Sequence, residues 1–248
     1  MVLDSLRWDV AQKALEQGRI PHLQKRIGHW EQRHTPGNFT LAAHQAFFSG
    51  FLPTPLDPQQ RERNLALAFE GSSTLSPTTL LLEGADVCQG LRQHGYRTIC
   101  IGGVGFFNQR TPLSRILPDL FCESHWSPQM GVTEARSTEN QVKLALERLE
   151  HRERVFLYVN VSATHQPNCH YLEGATQDSC DSQLEALAYA DEQLLPLWQA
   201  LEQRGAYCWV FSDHGTAYGE DGYWGHRLSH PVIWNVPYAE FLAKSSAV

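Results

Sequence analysis

The run Val155–Val161, VFLYVNV, is aliphatic and aromatic throughout, with one amide as its single interruption. A strand with one wet face alternates apolar and polar residues. An unbroken apolar strand needs cover on both faces, which in practice means a parallel sheet with helices on either side. Two further runs read the same way: Tyr96–Ile101, ended by Gly102-Gly103, and Ala206–Phe211. Met1–Leu3 reads as a very short strand. Between them lie helical patterns: Asp9–Gln17, a helix opening at Thr40 and closing at Gly50, Ala85–His94, Thr138–His151 and Ser182–Gln203. The last carries a stripe of Leu184, Leu187, Leu194, Leu195, Leu197 and Leu201 at helical spacing. Pro53, Pro55 and Pro58 keep the chain after Gly50 irregular. Strands alternating with helices predict a three-layer α/β/α arrangement around a mainly parallel sheet. With no repeat and no linker-like stretch, residues 1–248 read as a single domain.

Composition narrows the function classes. The 248 residues carry 20 Lys and Arg against 27 Asp and Glu, a net charge of −7, with no extended basic run. Phosphate backbones and anionic membranes demand a clustered basic surface, so neither nucleic acid nor membrane is an expected partner. No stretch approaches the length of apolar sequence that spans a bilayer, and no leader pattern opens the chain. The six cysteines form no CxxC pair; Cys100 and Cys208 sit in apolar runs, and Cys169 and Cys180 are read as unbridged. Together these features predict a soluble, reduced, cytoplasmic protein.

In open α/β sheets chemistry gathers at the carboxyl ends of the strands. Three polar clusters sit there: Asp4-Ser5-Leu6-Arg7-Trp8-Asp9, Asn160 through His165, and Ser212-Asp213-His214-Gly215 with His226 further on. Taken singly, a strand-end Asp is ordinarily a helix N-cap and a lone His an ordinary hydrogen-bonded residue. Carboxylates and imidazoles converging from several strand ends instead suit a zinc-like divalent metal. The glycines of Gly102-Gly103-Val104-Gly105 lack a P-loop ending and read as a turn beside this region.

Four segments, in order, resemble the alkaline phosphatase/sulfatase superfamily, especially its phosphoethanolamine-transferase and sulfatase branches. Asp213-His214-Gly215 followed by Gly219-Glu220 and His226 is similar to the DHG…GE…H block. Thr40 through Pro53 resembles the nucleophile helix, Asp4 through Asp9 the opening DSLR-x-D segment, and Leu91 through Thr98 the L-x-x-x-GYRT step. The resemblance implies an alkaline-phosphatase-like fold and a first metal held by Asp4, Asp213, His214 and the Thr40 oxygen. Zn²⁺ is the expected ion, at one or two per chain, with Mn²⁺ as the other candidate. Thr40 would be the nucleophile, forming a covalent phosphothreonine on a small-molecule phosphate mono- or diester. His44, one turn along the same helix, reads either as a group reaching a substrate oxygen or as a partly exposed helix residue. His165 and His226 imply a second metal or a phosphate-polarising pair.

The chain departs from the strict two-metal members before His165. Where those carry a carboxylate, it offers Asn160, Ser162 and Thr164, poorer ligands, so that Asp178 or Glu220 would have to complete a second site. A threonine cannot be oxidised to formylglycine, and Thr40 is not followed by the x-Pro-x-Arg of that sulfatase class, which leaves phosphoryl chemistry. The rival expectation is a degenerate member that binds metal or a phosphorylated ligand without turnover. Three residues ahead of Asp4 are also short for a central strand, so either the edge is trimmed there or the native start lies upstream.

Overall fold

The computed structural model describes residues 1–52, 65–66, 77, 79–81, 85–150 and 153–244. Pro53, Pro55 and Pro58 lie outside them. The strands are β1 (Val2–Leu3), β2 (Glu31–His34), β3 (Leu65–Ala66), β4 (Leu80–Leu81), β5 (Arg97–Ile101), β6 (Glu123–His125), β7 (Val155–Val161), β8 (Tyr207–Phe211), β9 (Ala217–Tyr218), β10 (Trp224–Gly225) and β11 (Asn235–Leu242). The helices are α1 (Trp8–Glu16), α2 (Pro21–Ile27), α3 (Thr40–Ser49), α4 (Val87–Gln93), α5 (Pro112–Arg115), α6 (Ser137–Arg148), α7 (Cys180–Arg204) and α8 (Pro231–Trp234).

Seven strands form one sheet in the order β2-β11-β8-β1-β7-β5-β6. Its pairings from β8 through β1, β7 and β5 to β6 are parallel, while β11 runs antiparallel to both β8 and β2. β1 is as short as expected and sits in the middle: Val2 pairs with Asn160 of β7 and with Phe211 of β8.

Period-two alternation sends successive side chains to opposite faces, and two cores follow. Leu3, Ile99, Ile101, Val159, Val161 and Val210 pack against α1, α2, α6 and α7. Val2, Cys100 and Tyr158 pack the other way, with Leu41 and Phe48 of α3, Cys88 of α4, and Phe107 and Phe121. The three layers are therefore helix, sheet, helix. α7 supplies the longest apolar stripe, with Leu187, Leu194 and Leu197 fully buried, and its ends are built for a helix. The Ser179 hydroxyl accepts from the Ser182 amide in a capping box, and Gly205 closes the other end at φ +62°. Truncating Leu187 to Ala would leave a cavity costing about 2–5 kcal/mol.

The sequence patterns do not mark α2, β2, β6 or β11. All six cysteines are free thiols. No helix among the described residues is long and apolar enough to cross a membrane.

Candidate active site

The carboxyl ends of β1, β7 and β8 lie side by side, and each ends in one of the polar clusters. Asp4 follows β1 directly; its amide continues the ladder to the Val161 carbonyl at 3.1 Å, and its side chain projects beyond. Ser5 then takes a left-handed conformation at φ +60°, unusual for a residue other than glycine, and turns its amide onto Asp213 Oδ1 at 3.1 Å. Asp4 Oδ1 accepts from the Ser5 hydroxyl at 3.0 Å and Oδ2 from Asn160 Nδ2 at 2.8 Å.

On β8's side, Asp213 Oδ1 also accepts from the His214 amide at 3.1 Å, whereas Asp213 Oδ2 is buried with no partner. His214 Nδ1 faces the Gly215 carbonyl at 2.8 Å, which places its proton there and turns the Nε2 lone pair inward. That Nε2 lies 3.4 Å from Thr40 Oγ1, 3.5 Å from Asp213 Oδ2 and 4.0 Å from Asp4 Oδ1. Gly215 is required for a steric reason: a Cβ there would sit 1.8 Å from the Val232 carbonyl oxygen. Thr40 opens α3, whose N-cap, Phe39, offers no side-chain acceptor, so the first amides of the helix have no capping partner from it.

The ligating atoms of Asp4, Asp213 and His214 lie within 4.8 Å of one another, and all three residues are buried. Burial opposes the Asp4 charge, but His165, His214 and the Asn160 amide hold its carboxyl below the ordinary value. Burial and the Asp4 charge together push the Asp213 carboxyl well above it. Burial lowers His214 as well, keeping its ring neutral. Two adjacent buried carboxylates, an oxygen without a hydrogen bond and a neutral inward-facing imidazole make a donor set that fits a divalent cation.

His165 and His226 do join this cluster. Their rings are 5.6 Å apart, and His226 is 4.7 Å from the His214 ring. His226 is pushed down to about 3, by burial first and then by the neighbouring His214 and His165; its Nδ1 is buried without a partner. His165 is half-buried and its Nδ1 meets the Gln166 carbonyl. The acids that might have completed a second metal site are occupied elsewhere. Asp178 accepts the amides of Asn168 and Cys169 at 2.7 and 2.8 Å. Glu220 pairs with Arg7 and accepts the Tyr218 amide at 2.6 Å. Among the described residues, Asp4, Asp213 and His214 are the one group arranged to hold an ion.

His44 is not the partly exposed helix residue of the second expectation. It is fully buried, with Nδ1 on the Thr40 carbonyl at 2.6 Å and 3.7 Å from Asp213 Oδ2, and Nε2 on the Tyr158 hydroxyl, so both ring nitrogens are engaged inside the protein. One turn of helix places it on the Thr40 face, but that face looks into the core. Sequence reasoning placed Asn160 and Arg7 in the strand-end clusters without their role as hydrogen-bond partners, and it did not mark Tyr158 or Gln183. Gln183 joins the clusters from α7, donating to the carbonyls of Ser5 and Thr164, both at 2.9 Å, and accepting the Arg7 amide at 3.2 Å. The available signal was Asn160 itself, a polar group inside an otherwise apolar strand. The Gly102-Gly103 segment is the expected turn, with the amides of Gly103 and Val104 on Asn160 Oδ1 at 3.2 and 3.1 Å.

No protein-family model and no curated protein sequence matches the chain. Solved structures do. The C-terminal periplasmic domain of phosphoethanolamine transferase EptC from Campylobacter jejuni is 14% identical, with a TM-score of 0.66 over 97% of this chain and 76% of that one. The corresponding EptC domain from Escherichia coli, in complex with Zn, is 13% identical with a TM-score of 0.66, over 98% and 71% of the two chains. A protein in the alkaline phosphatase superfamily from Vibrio parahaemolyticus is 16% identical, with a TM-score of 0.59 over 97% and 58%. The cytoplasmic location expected from the sequence does not stand. Both EptC domains are periplasmic, so this fold serves outside the cytoplasm. The expectation rested on absences in the sequence, and absences do not fix a compartment.

Proposed function

We propose that this chain, whose fold is that of the alkaline phosphatase superfamily in its sulfatase-like branch, is a metal-dependent enzyme. It cleaves or transfers a phosphate mono- or diester through a phosphorylated Thr40. The observation that carries this reading is the meeting of the Thr40 hydroxyl with Asp4, Asp213 and His214 in one buried cluster at the strand ends. The phosphoethanolamine transferases of similar fold, one of them holding zinc, make a small or lipid-linked phosphate ester the nearest precedent for a substrate.

A divalent ion held by Asp4, Asp213, His214 and Thr40 Oγ1 would supply Lewis-acid stabilisation of the alkoxide and of charge on the phosphate oxygens. The chain's own groups do the rest. Thr40 Oγ1 bonds to phosphorus as the bond from phosphorus to the departing oxygen breaks, and the proton that Thr40 releases ends on that oxygen, which leaves as the alcohol. The uncapped amides at the start of α3 face the charge on the phosphoryl oxygens. With its Nδ1 proton on the Gln166 carbonyl, His165 presents a basic Nε2, able to take the proton of an incoming water or alcohol. That oxygen then displaces Thr40 Oγ1. His226 stands beside it as a neutral imidazole for a non-bridging oxygen. With no acid among the described residues placed to join them, His165 and His226 are read as substrate-facing groups and the centre as holding one ion.

The test is turnover of aryl phosphate esters by the zinc- or manganese-loaded protein. Thr40→Ala should lower the rate by about 10³-fold or more while leaving the fold intact. Acid-quenched protein should carry phosphate on Thr40. Full activity in Thr40→Ala overturns the reading. Metal-dependent binding of a phosphate ester without turnover would instead establish the degenerate, ligand-binding member.

A further inference from the structure

We propose that His44, Tyr158 and Asn160 form a buried hydrogen-bonded relay that fixes the backbone of Thr40 against the carboxylate of Asp4, all three acting as positioning residues. The inference rests on the reading of Thr40 as nucleophile and names what holds it in place.

The relay has one consistent polarity. Asn160 Oδ1 accepts the amides of Gly103 and Val104, so its amide nitrogen must face the other way. One hydrogen of that nitrogen goes to Asp4 Oδ2 at 2.8 Å. Tyr158 stands two positions before Asn160 on the same face of β7, with the Asn160 amide the polar neighbour of its hydroxyl. The phenol in turn donates to His44 Nε2, and His44 Nδ1 donates to the Thr40 carbonyl at 2.6 Å. Donation therefore runs outward from this β7 pair in two directions, from Asn160 to the Asp4 carboxylate and from Tyr158 through His44 to the peptide of Thr40.

A purely space-filling reading explains this poorly. His44 is enclosed edge-on by Phe47, Phe107 and Tyr158, a box that a phenylalanine or leucine would fill without polar groups. Burying polar groups costs about 1–3 kcal/mol each wherever a partner is missing, so a complete network here is a demanding arrangement. Its two ends are the groups that must hold their separation. Thr40 begins α3, and its carbonyl takes the His44 ring nitrogen at 2.6 Å from the buried side of the helix, so the first turn is tied to the β7 side chains. The amide in place of the expected carboxylate before His165 then has a use: a carboxylate at Asn160 would face Asp4 with a like charge and could donate to neither neighbour.

The experiment uses the zinc-loaded protein, an aryl phosphate ester, and zinc affinity measured against a competing chelator. Tyr158→Phe removes one hydroxyl and keeps the ring. It should lower kcat by about 10–100-fold with KM within about threefold, and leave zinc affinity unchanged. Asn160→Ser should weaken zinc by about tenfold through Asp4 and lower kcat as well. In the double variant the loss in kcat should be less than the product of the single losses, because one relay is cut twice. Tyr158→Phe with unaltered kcat, or independent multiplicative losses accompanied only by lower melting temperatures, overturns the relay. Should Tyr158→Phe fail to fold, zinc affinity in Asn160→Ser decides: unchanged affinity refutes the Asp4 arm. Thr40→Ala separates the two levels. An active Thr40→Ala sinks the nucleophile reading, whereas an inactive Thr40→Ala beside a fully active Tyr158→Phe sinks the relay alone.

Discussion

At the scale of residues, Asp213 Oδ2 shows what the site costs the protein. It is buried, without a hydrogen bond, beside the Asp4 carboxylate, and the Asp213 carboxyl is held well above its ordinary value by burial and by that charge. The folded chain therefore keeps a proton that the unfolded chain releases near 3.8, and stability falls as pH rises past that value. Asp213→Asn should remove the penalty. Thermal melts of the metal-free protein should show a gain of about 1–3 kcal/mol at neutral pH that shrinks toward acid, together with loss of divalent-metal binding. A variant less stable than the parent at neutral pH would show that the carboxyl is no liability. His44 acts in the opposite direction. Burial pushes it down to about 4 from 6.5, so the unfolded chain binds the extra proton and stability is lost as pH falls through that window. The contribution is on the order of 3 kcal/mol, so the melting temperature of the metal-free protein should drop between pH 6.5 and 4. Asp4, Thr40, Asp213 and His214 were legible because both type and strand-end position pointed to them. The orientation of His44 was not, since helical spacing says which residues share a face but not whether that face looks outward.

At the scale of elements, the legible pieces are those whose burial is written into their own residues: β5, β7 and β8, and the stripe of α7. β2 is Glu31-Gln32-Arg33-His34, exposed throughout, and is a strand only because β11 pairs with it. β11 carries Pro237, a residue that argues against a strand when read alone, and its own partners come from far along the chain. α2 did carry signals, Pro21 at its start and Gly28 at its end, but too few apolar positions for its period to stand out. The β9–β10 pair presents the same problem with a functional consequence. Two strands of two residues are marginal alone, yet they lead directly into His226. Arg7 ties them down: its guanidinium, almost wholly buried, binds Asp9 through two nitrogens at 2.8 and 2.6 Å and reaches Glu220 in the turn between the two strands. Arg7→Ala removes a buried side chain and its hydrogen bonds to the solvent-accessible Asp9 and Glu220 and should cost about 1–2 kcal/mol. Glu220→Gln should cost less but still quicken amide exchange across residues 216–226 while leaving α7 protected. Unchanged exchange there would show that the hairpin does not depend on Arg7.

At the scale of the whole molecule, the residues proposed to hold the ion come from three separate elements that meet around the sheet's shortest strand. Asp4 extends β1, Asp213 and His214 extend β8, and Thr40 opens α3 on the opposite face from α7. β1 is held in the middle of the sheet by few residues, so an ion bridging these elements would reinforce the fold where its ladder is thinnest. Binding to the folded state alone stabilises by mass action, about 2.7 kcal/mol at a hundredfold excess over Kd. For a chain of this length each kcal/mol is worth about 2–4 °C, so saturating zinc should raise the melting temperature by roughly 5–10 °C, and a chelator should reverse the gain. The increment should depend on pH in a direction the site dictates. Asp213 must surrender the proton that its burial retains. Raising the pH favours that release, so the zinc-induced shift should grow from pH 5.5 to 8 while the melting temperature of Asp213→Asn stays insensitive to zinc throughout. A parent protein whose melting temperature is unmoved by saturating zinc, manganese or magnesium at pH 8 would mean that the three elements do not share an ion, and the metal-centred reading of Thr40 would fall with it.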